Sequence, residues 1–128
     1  MKLIISSEGP NPCDQVDPRF GRARYLIQYD STFESFVSAD NSEQSVADQG
    51  AGVLAAQKVV GFGAEALLTG HCGPKAFQVL AEADVKIYSG IEGTVLNAVK
   101  SWKNGDLEPL ASPDGIDRHL KDSTHPKG

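Results

Sequence analysis

The stretch EALLTGHCGPKAFQVLAEADVKIY, residues 65–88, contains the pattern that decides the fold. The short apolar run at 65–69 predicts a strand, the amphipathic pattern at 74–83 predicts a helix, and the run at 85–88 predicts a second strand. A strand, a helix and a strand in this order form a parallel pair, and the helix lies against the sheet. The stretch therefore predicts an α/β fold.

The rest of the chain extends this unit. The further predicted strands are residues 2–6, 24–29 and 33–38, and the further predicted helices are 50–61 and the segment from the Thr94 cap to Gly105. The strands at 24–29 and 33–38 flank a polar turn and predict an antiparallel hairpin. We expect a five-stranded mixed sheet, with an N-terminal antiparallel hairpin plus parallel strands, flanked by about three helices.

Apolar spacing predicts which helix faces are buried. In the helix at 50–61, Val53, Ala56 and Val60 form one stripe that we expect to face the sheet. After Leu107 the chain is polar and contains three prolines, so we predict a domain at 1–107 and a loose tail at 108–128 with a short helix near 116–120. The polar residues 40–49 are predicted to be a connector.

Length and charge limit the function classes. The 128 residues fit one domain, and the net charge of −5 disfavours both a nucleic-acid surface and binding to an anionic membrane. The start of the chain lacks a signal-peptide pattern, and no apolar run is long enough to predict a membrane span. The two cysteines form no CxxC, so we expect a cytoplasmic protein with reduced thiols.

The segment DPRFGRAR, residues 17–24, concentrates positive charge in an acidic chain. Its three arginines are Arg19, Arg22 and Arg24. Arginine forks bind anions that present several acceptor atoms, so the segment predicts an anion site. The alternative is a solvated loop whose arginines pair with Asp14 and Asp17. Phe20 is predicted to be a core residue, and an exposed platform for the ligand is the alternative.

Two glycines open the helix at 50–61. The segment GAGVLA, Gly50 to Ala55, matches a dinucleotide-binding fingerprint, but that motif follows a strand directly and here polar residues precede it. The remaining prediction concerns Gly50 and Gly52, which would expose backbone N–H groups that attract an anion. A plain helix start packed against a neighbour is the alternative.

The segment TGHCGP joins a predicted strand to a helix. Gly73 fits the N-cap and Pro74 the first helical position, while Gly70 and His71 lie in the loop. Ligands of open α/β sheets bind outside the carboxyl ends of the strands, so we expect this loop to face a ligand. Cys72 is a candidate soft ligand, and an inert buried thiol is the alternative.

The other reactive side chains support no catalytic site. Cys13 lies beside Asp14 and the arginine segment, where it is a candidate metal ligand, and an incidental free thiol is the alternative. Adjacent His71 and Cys72 would point in different directions from a loop, so they do not predict a catalytic dyad. No P-loop and no GxSxG motif occur, and we expect a protein that is not an enzyme.

Three segments in order resemble a known family. VDPRFGRARYLIQYD, GAGVLAAQKVVGFGAEALLTGHCGPKAFQVLAEADVKIY and GTVLNAVKSWKNGDL are similar to the dinitrogenase iron-molybdenum cofactor biosynthesis family of NifX/NifB-type domains. The opening GPNPCDQVDPRFGRA most resembles the branch that contains the orange protein of sulfate-reducing bacteria. The resemblance covers residues 1–107.

The resemblance implies a ribonuclease-H-like fold and a carrier of an anionic metal–sulfur cluster, either a molybdenum–copper sulfide or a related molybdenum–iron–sulfur cluster. It also implies protein partners that donate or accept the cluster, or an ATPase. The matching positions are Arg19, Phe20, Gly21, Arg22, Gly50, Gly52, Gly70, Gly73 and Pro74. His71 and Cys72 lie inside the matching loop, and with Cys13 they are the candidate metal ligands.

Two other functions are compatible with the fold class. A nuclease would need clustered carboxylates that hold two metal ions, whereas most acids here fall in turns and helices. A regulatory protein–protein interaction domain without a cluster is the main alternative. Our interpretation is electrostatic capture of a large, soft anion by the arginine segment and the helix starts at Gly50 and Gly73.

Overall fold

A computed structural model describes residues 1–42 and 50–111 of the chain. These residues form the strands β1 (Lys2–Ser7), β2 (Tyr25–Asp30), β3 (Ser35–Asp40), β4 (Ala66–Leu68) and β5 (Lys86–Tyr88). They also form the helices α1 (Ala51–Gly61), α2 (Pro74–Glu82) and α3 (Val95–Lys103), and a 3₁₀ turn at Phe20–Arg22. Of the predicted connector at 40–49, residues 43–49 lie outside the described residues.

The strands make one mixed sheet in the order β3-β2-β1-β4-β5. β1 lies in the centre, where Ile5 pairs with Ile27 of antiparallel β2 and with Leu68 of parallel β4. β2 and β3 form the predicted antiparallel hairpin, and β4 and β5 are parallel. The predicted fold class, a five-stranded mixed sheet of ribonuclease-H-like type with helices, is confirmed.

Both faces of the central strand are covered. Ile4 points to one side and packs with α1 and α2, whereas Leu3 and Ile5 point to the other side and pack with α3. All three side chains are fully buried. A strand that is buried on both faces has a continuous run of apolar residues in its sequence, which explains the LII sequence of β1.

The buried face of α1 differs from the predicted stripe. Ala55, Ala56 and Val59 are fully buried, while Val60 is partly exposed. Small side chains let α1 approach the sheet and the 3₁₀ turn closely. The predicted stripe is correct at Ala56 and wrong at Val60, because the helix presents mainly its alanines, together with Val59, to the core.

The hairpin turn also differs from the prediction. The strand predicted at 33–38 begins instead at Ser35. The Thr32 N–H donates to the Asp30 carboxylate at 2.9 Å, and Glu34 adopts a left-handed φ of 52°. Phe33 therefore lies in the turn and is 76% exposed.

The helices of the described residues are short. They contain 11, 9 and 9 residues, whereas about 20 apolar residues are needed to cross a bilayer. None of the described helices is long and apolar enough to span a membrane.

Ordered contacts continue past Leu107. The Leu110 N–H donates to the Ile87 carbonyl at 2.7 Å, and the Leu110 side chain packs against the core on the α1 and α2 side. The division between a domain at 1–107 and a tail at 108–128 stays a prediction. The predicted helix near 116–120 lies outside the described residues.

The two phenylalanines of the hairpin should differ sharply in their contribution to stability. Phe36 lies 4.8 Å from the Tyr29 ring, centroid to centroid, so we expect Phe36→Ala to lower the free energy of unfolding by about 1–2 kcal/mol. Phe33→Ala should change it by less than about 0.5 kcal/mol, because the ring lies in an exposed turn. Urea unfolding of both variants measures the difference. Equal losses would contradict the register of β3.

Candidate functional site

The carboxyl ends of β1 and β4 lie side by side at one edge of the sheet. They do so because the two strands are parallel, with Ile5 opposite Leu68. The loop after β1 contains the arginine segment, and the loop after β4 contains TGHCGP. Parallel pairing therefore brings together two segments that are far apart in the sequence.

Backbone contacts join the two loops. The Phe20 N–H donates to the His71 carbonyl at 3.2 Å, and Arg19 and His71 form a parallel bridge. A Cβ at Gly70 would lie 2.5 Å from the Pro18 Cα, so the loops touch at a point where only glycine fits.

The arginine loop also covers the start of α1. A Cβ at Gly21 would lie 2.7 Å from both the Cα and the N of Gly52. Phe20, one residue earlier, is 1% exposed and belongs to the core on this side of the sheet. The prediction that Phe20 is a core residue is confirmed, and its burial holds the 3₁₀ turn against α1.

A cleft of about 260 Å³ lies between the 3₁₀ turn and the starts of α1 and α2. Its lining residues are Phe20, Gly21, Gly50, Gly52, Val53, Gly73, Pro74, Lys75 and Ala76. The structure thus brings together the three elements that the sequence singled out. Sequence reasoning missed Val53, Lys75 and Ala76. Lys75 has a local signal, because it follows Pro74 at the predicted helix start.

The helix starts at the cleft differ from that of α3. α1 and α2 begin at Gly50 and Gly73, which have no side chain to cap the first turn. The start of α3 is capped by the Thr94 hydroxyl, which accepts the Asn97 N–H. The first two N–H groups of α3, those of Val95 and Leu96, donate to carbonyls of the loop after β1. The positive ends of α1 and α2 therefore lack this capping and border open space.

None of the three arginines lines the cleft, and Arg19 and Arg22 belong to the segment of the 3₁₀ turn that borders it. The Arg19 side chain is 70% exposed, and its Nε lies 4.0 Å from the buried Asp17 carboxylate. Arg22 ends the 3₁₀ turn and is exposed. Arg24 precedes β2, where its charge adds to the hydrogen bonds from Ser42 that lower the pKa of the Asp40 carboxyl. The charge partner of Arg24 is therefore Asp40, which does not line the cleft.

The candidate metal ligands do not converge. Cys72 is fully buried and packs in the core with Phe20 and Ala76, whereas Cys13 is exposed in the loop against the start of α3. His71 is exposed beside the arginine loop. Within residues 1–42 and 50–111, no group of three His, Cys, Asp or Glu side chains is placed to hold a metal ion. Metal-ligand roles for these three residues stay predictions.

The contact between the two loops should make position 70 intolerant of a side chain. We expect Gly70→Ala to lower the free energy of unfolding by about 1–3 kcal/mol, because its Cβ would meet backbone atoms of Pro18 that cannot rotate away. Gly61→Ala, at the exposed end of α1, is the matched control, since a Cβ there meets no atom within 4 Å. Thermal unfolding of both variants measures the effect. A Gly70→Ala variant as stable as the wild type would contradict the packing of the loops.

The two thiols should react at very different rates. With an aromatic disulfide reagent, Cys13 should react quickly in the native protein and Cys72 only as fast as the core opens. Both should react quickly in denaturant. The Cys13→Ser variant isolates the Cys72 signal, and fast native labelling of that variant would show that Cys72 is accessible.

Solved structures of two other proteins share this fold. The orange protein from Desulfovibrio gigas, solved in its apo form, has a TM-score of 0.86 and 38% sequence identity, over 88% of this chain and 95% of that chain. A candidate NifB protein from Thermotoga has a TM-score of 0.77 and 32% identity, over 87% of this chain and 94% of that chain.

The sequence profile of one family matches most of the chain. Curated proteins provide no sequence match. Residues 1–105 match the family described as dinitrogenase iron-molybdenum cofactor, and this range includes every residue that lines the cleft. Together with the identity to the orange protein, this match shows that the chain belongs to the dinitrogenase iron-molybdenum cofactor family.

Proposed function

We propose that the protein is a non-catalytic carrier that holds an anionic metal–sulfur cluster as cargo in the cleft between the 3₁₀ turn and the starts of α1 and α2. The observation that carries this proposal is the convergence of two glycine-started helices on one cleft of about 260 Å³. A Cβ at Gly50 or Gly73 would meet no atom within 4 Å, so space for a ligand lies directly beside these N-cap positions.

The charges around the cleft support an anionic cargo. Lys75 lines the cleft, and Arg19 and Arg22 flank Phe20 and Gly21, the residues of the 3₁₀ turn that line it. Aligned helix dipoles add partial positive charge at the starts of α1 and α2. This local balance is opposite to the net charge of −5 of the whole chain, which would otherwise repel anions.

The apolar part of the lining supports a sulfide anion rather than a hydrated oxyanion. Phe20, Val53 and Ala76 present carbon atoms to the cleft. A strongly hydrated oxyanion would lose water there without enough donors to replace it. Sulfide ligands are large and polarisable, so they lose less hydration and make favourable contacts with apolar walls.

Family membership supports molybdenum as the metal of the cargo. We propose a molybdenum–copper sulfide or a related molybdenum–iron–sulfur cluster, as expected from the resemblance to the orange-protein branch. A carrier of this kind works in the cytoplasm and exchanges its cargo with proteins that build or accept the cluster. The proposal includes no chemical turnover.

The cleft would hold the cargo without a thiolate from Cys72. The Cys72 thiol lies in the core and its Sγ is 3.7 Å from the Gly73 carbonyl, so coordination would require the helix start to open. His71 is the exposed soft side chain beside the arginine loop and would make a secondary contact. Electrostatic capture therefore predicts weaker binding as salt concentration rises.

The cargo proposal predicts a charge-dependent binding defect. Protein mixed with tetrathiomolybdate and copper(II) salt should keep a charge-transfer band after desalting. Arg19→Ala/Arg22→Ala should weaken retention by about tenfold or more, because two positive charges near the cleft are removed. Lys100→Ala/Lys103→Ala, which removes two positive charges in the last turn of α3, is the control and should retain the band.

Equal retention by both double variants would show that the arginine loop does not bind the cargo. Absence of any retained band in the wild type would favour the interaction domain without a cluster. One observation supports that second function. Phe33 and Val37 are 76% and 61% exposed on the hairpin, and β3 is an edge strand, so this hairpin is the surface where a protein partner would bind.

A further inference from the structure

Two buried hydroxyl groups meet at the sheet edge below the cleft. Ser6 lies near the end of β1 and Thr69 follows β4, one position beyond the Ile5–Leu68 pair. Both residues are fully buried, and Ser6 Oγ lies 2.7 Å from Thr69 Oγ1. Both hydroxyls point to the α1 and α2 side of the sheet, which is the side of the cleft.

The geometry determines the direction of the hydrogen bonds. Ser6 Oγ also lies 2.8 Å from the Asp17 carbonyl oxygen, which can only accept. A serine hydroxyl has one hydrogen, so Ser6 donates to Asp17 and the Thr69 hydroxyl must donate to Ser6. The result is a directed chain from Thr69 through Ser6 to the first residue of the arginine segment.

This chain joins the two loops of the site at their bases. Asp17 is anchored twice to Ser6, because its own N–H also donates to the Ser6 carbonyl at 2.9 Å. Its buried carboxylate accepts the Arg19 N–H at 3.0 Å. Phe20 follows and bonds to His71, two residues after Thr69. The position of the arginine segment relative to the α2 start thus depends on contacts that begin at Ser6 and Thr69.

We propose that Ser6 and Thr69 are positioning residues that hold the arginine loop against the loop before α2 and so keep the anion cleft in its binding shape. The inference rests on the proposed function of the cleft. Neither residue lines the cleft, so both act through Asp17 and Phe20. A cleft formed in advance binds more tightly, because the loop does not have to be ordered when the anion arrives.

Ser7 provides a matched control within the same strand. It is also fully buried, and its hydroxyl donates to the Gly9 carbonyl at 2.6 Å. Its side chain points to the opposite face of the sheet, away from Asp17 and Thr69. Ser7→Ala therefore removes a buried serine hydroxyl and its two hydrogen bonds with Gly9, at 2.6 and 3.3 Å, without touching the proposed hydrogen-bond chain.

The test compares Thr69→Val, Thr69→Ser and Ser7→Ala in the full chain. Thr69→Val keeps the shape but removes the hydroxyl, so retention of tetrathiomolybdate with copper should weaken about fivefold. Hydrogen exchange of the Phe20 amide, measured by NMR without ligand, should accelerate about fivefold for the same reason. Thr69→Ser keeps the hydroxyl, so its thiomolybdate retention and its Phe20 exchange rate should match the wild type. Ser7→Ala should also leave both quantities unchanged, even if its denaturation midpoint falls.

The outcomes separate this inference from the proposed function. The positioning role is overturned if hydrogen exchange of the Phe20 amide is unchanged in Thr69→Val. It is also overturned if Ser7→Ala weakens thiomolybdate binding as much as Thr69→Val does. A wild-type protein that retains no thiomolybdate overturns the proposed function alone. In that case faster Phe20 exchange in Thr69→Val, reversed in Thr69→Ser, still supports the role of the hydroxyl pair in holding the loop.

Discussion

The parallel pairing of β1 with β4 is the constraint on which the rest of the structure depends. It sets Ile5 opposite Leu68, so the loops that follow both strands leave the same edge of the sheet. A shift of the register by one residue would turn Ser6 and Thr69 to different faces and separate the loops. The buried hydroxyls of Ser6 and Thr69 oppose such a shift, because it would break the hydrogen bond between two fully buried polar groups.

Close approach of backbones then converts this sheet edge into a cleft. Gly70 lies against Pro18, and Gly21 lies against Gly52, so three segments pack without side chains between them. Side chains at these positions would push the 3₁₀ turn away from both helices. The resulting space is bordered by two helix starts, and their partial positive charges add to the charge of Lys75 in its lining.

Much of the fold could be predicted because its signals are local. The strand–helix–strand pattern at 65–88 and the Gly73-Pro74 helix start depend on neighbouring residues, and both are present in the structure. The exposure of Phe33 could not be predicted, since the Asp30 carboxylate turns the chain there. The buried face of α1 was predicted correctly only at Ala56, because it depends on how closely the sheet and the 3₁₀ turn approach the helix.

For the site, the sequence by itself determined the ingredients: an arginine-rich loop, two glycine-started helices and two cysteines in an acidic chain. Only the tertiary structure decided their arrangement. It placed Lys75 in the cleft, buried Cys72 in the core and set Cys13 on the other side of the sheet. The physical reason is that side-chain direction in a loop follows from long-range strand register and backbone contact, which local residue patterns do not encode.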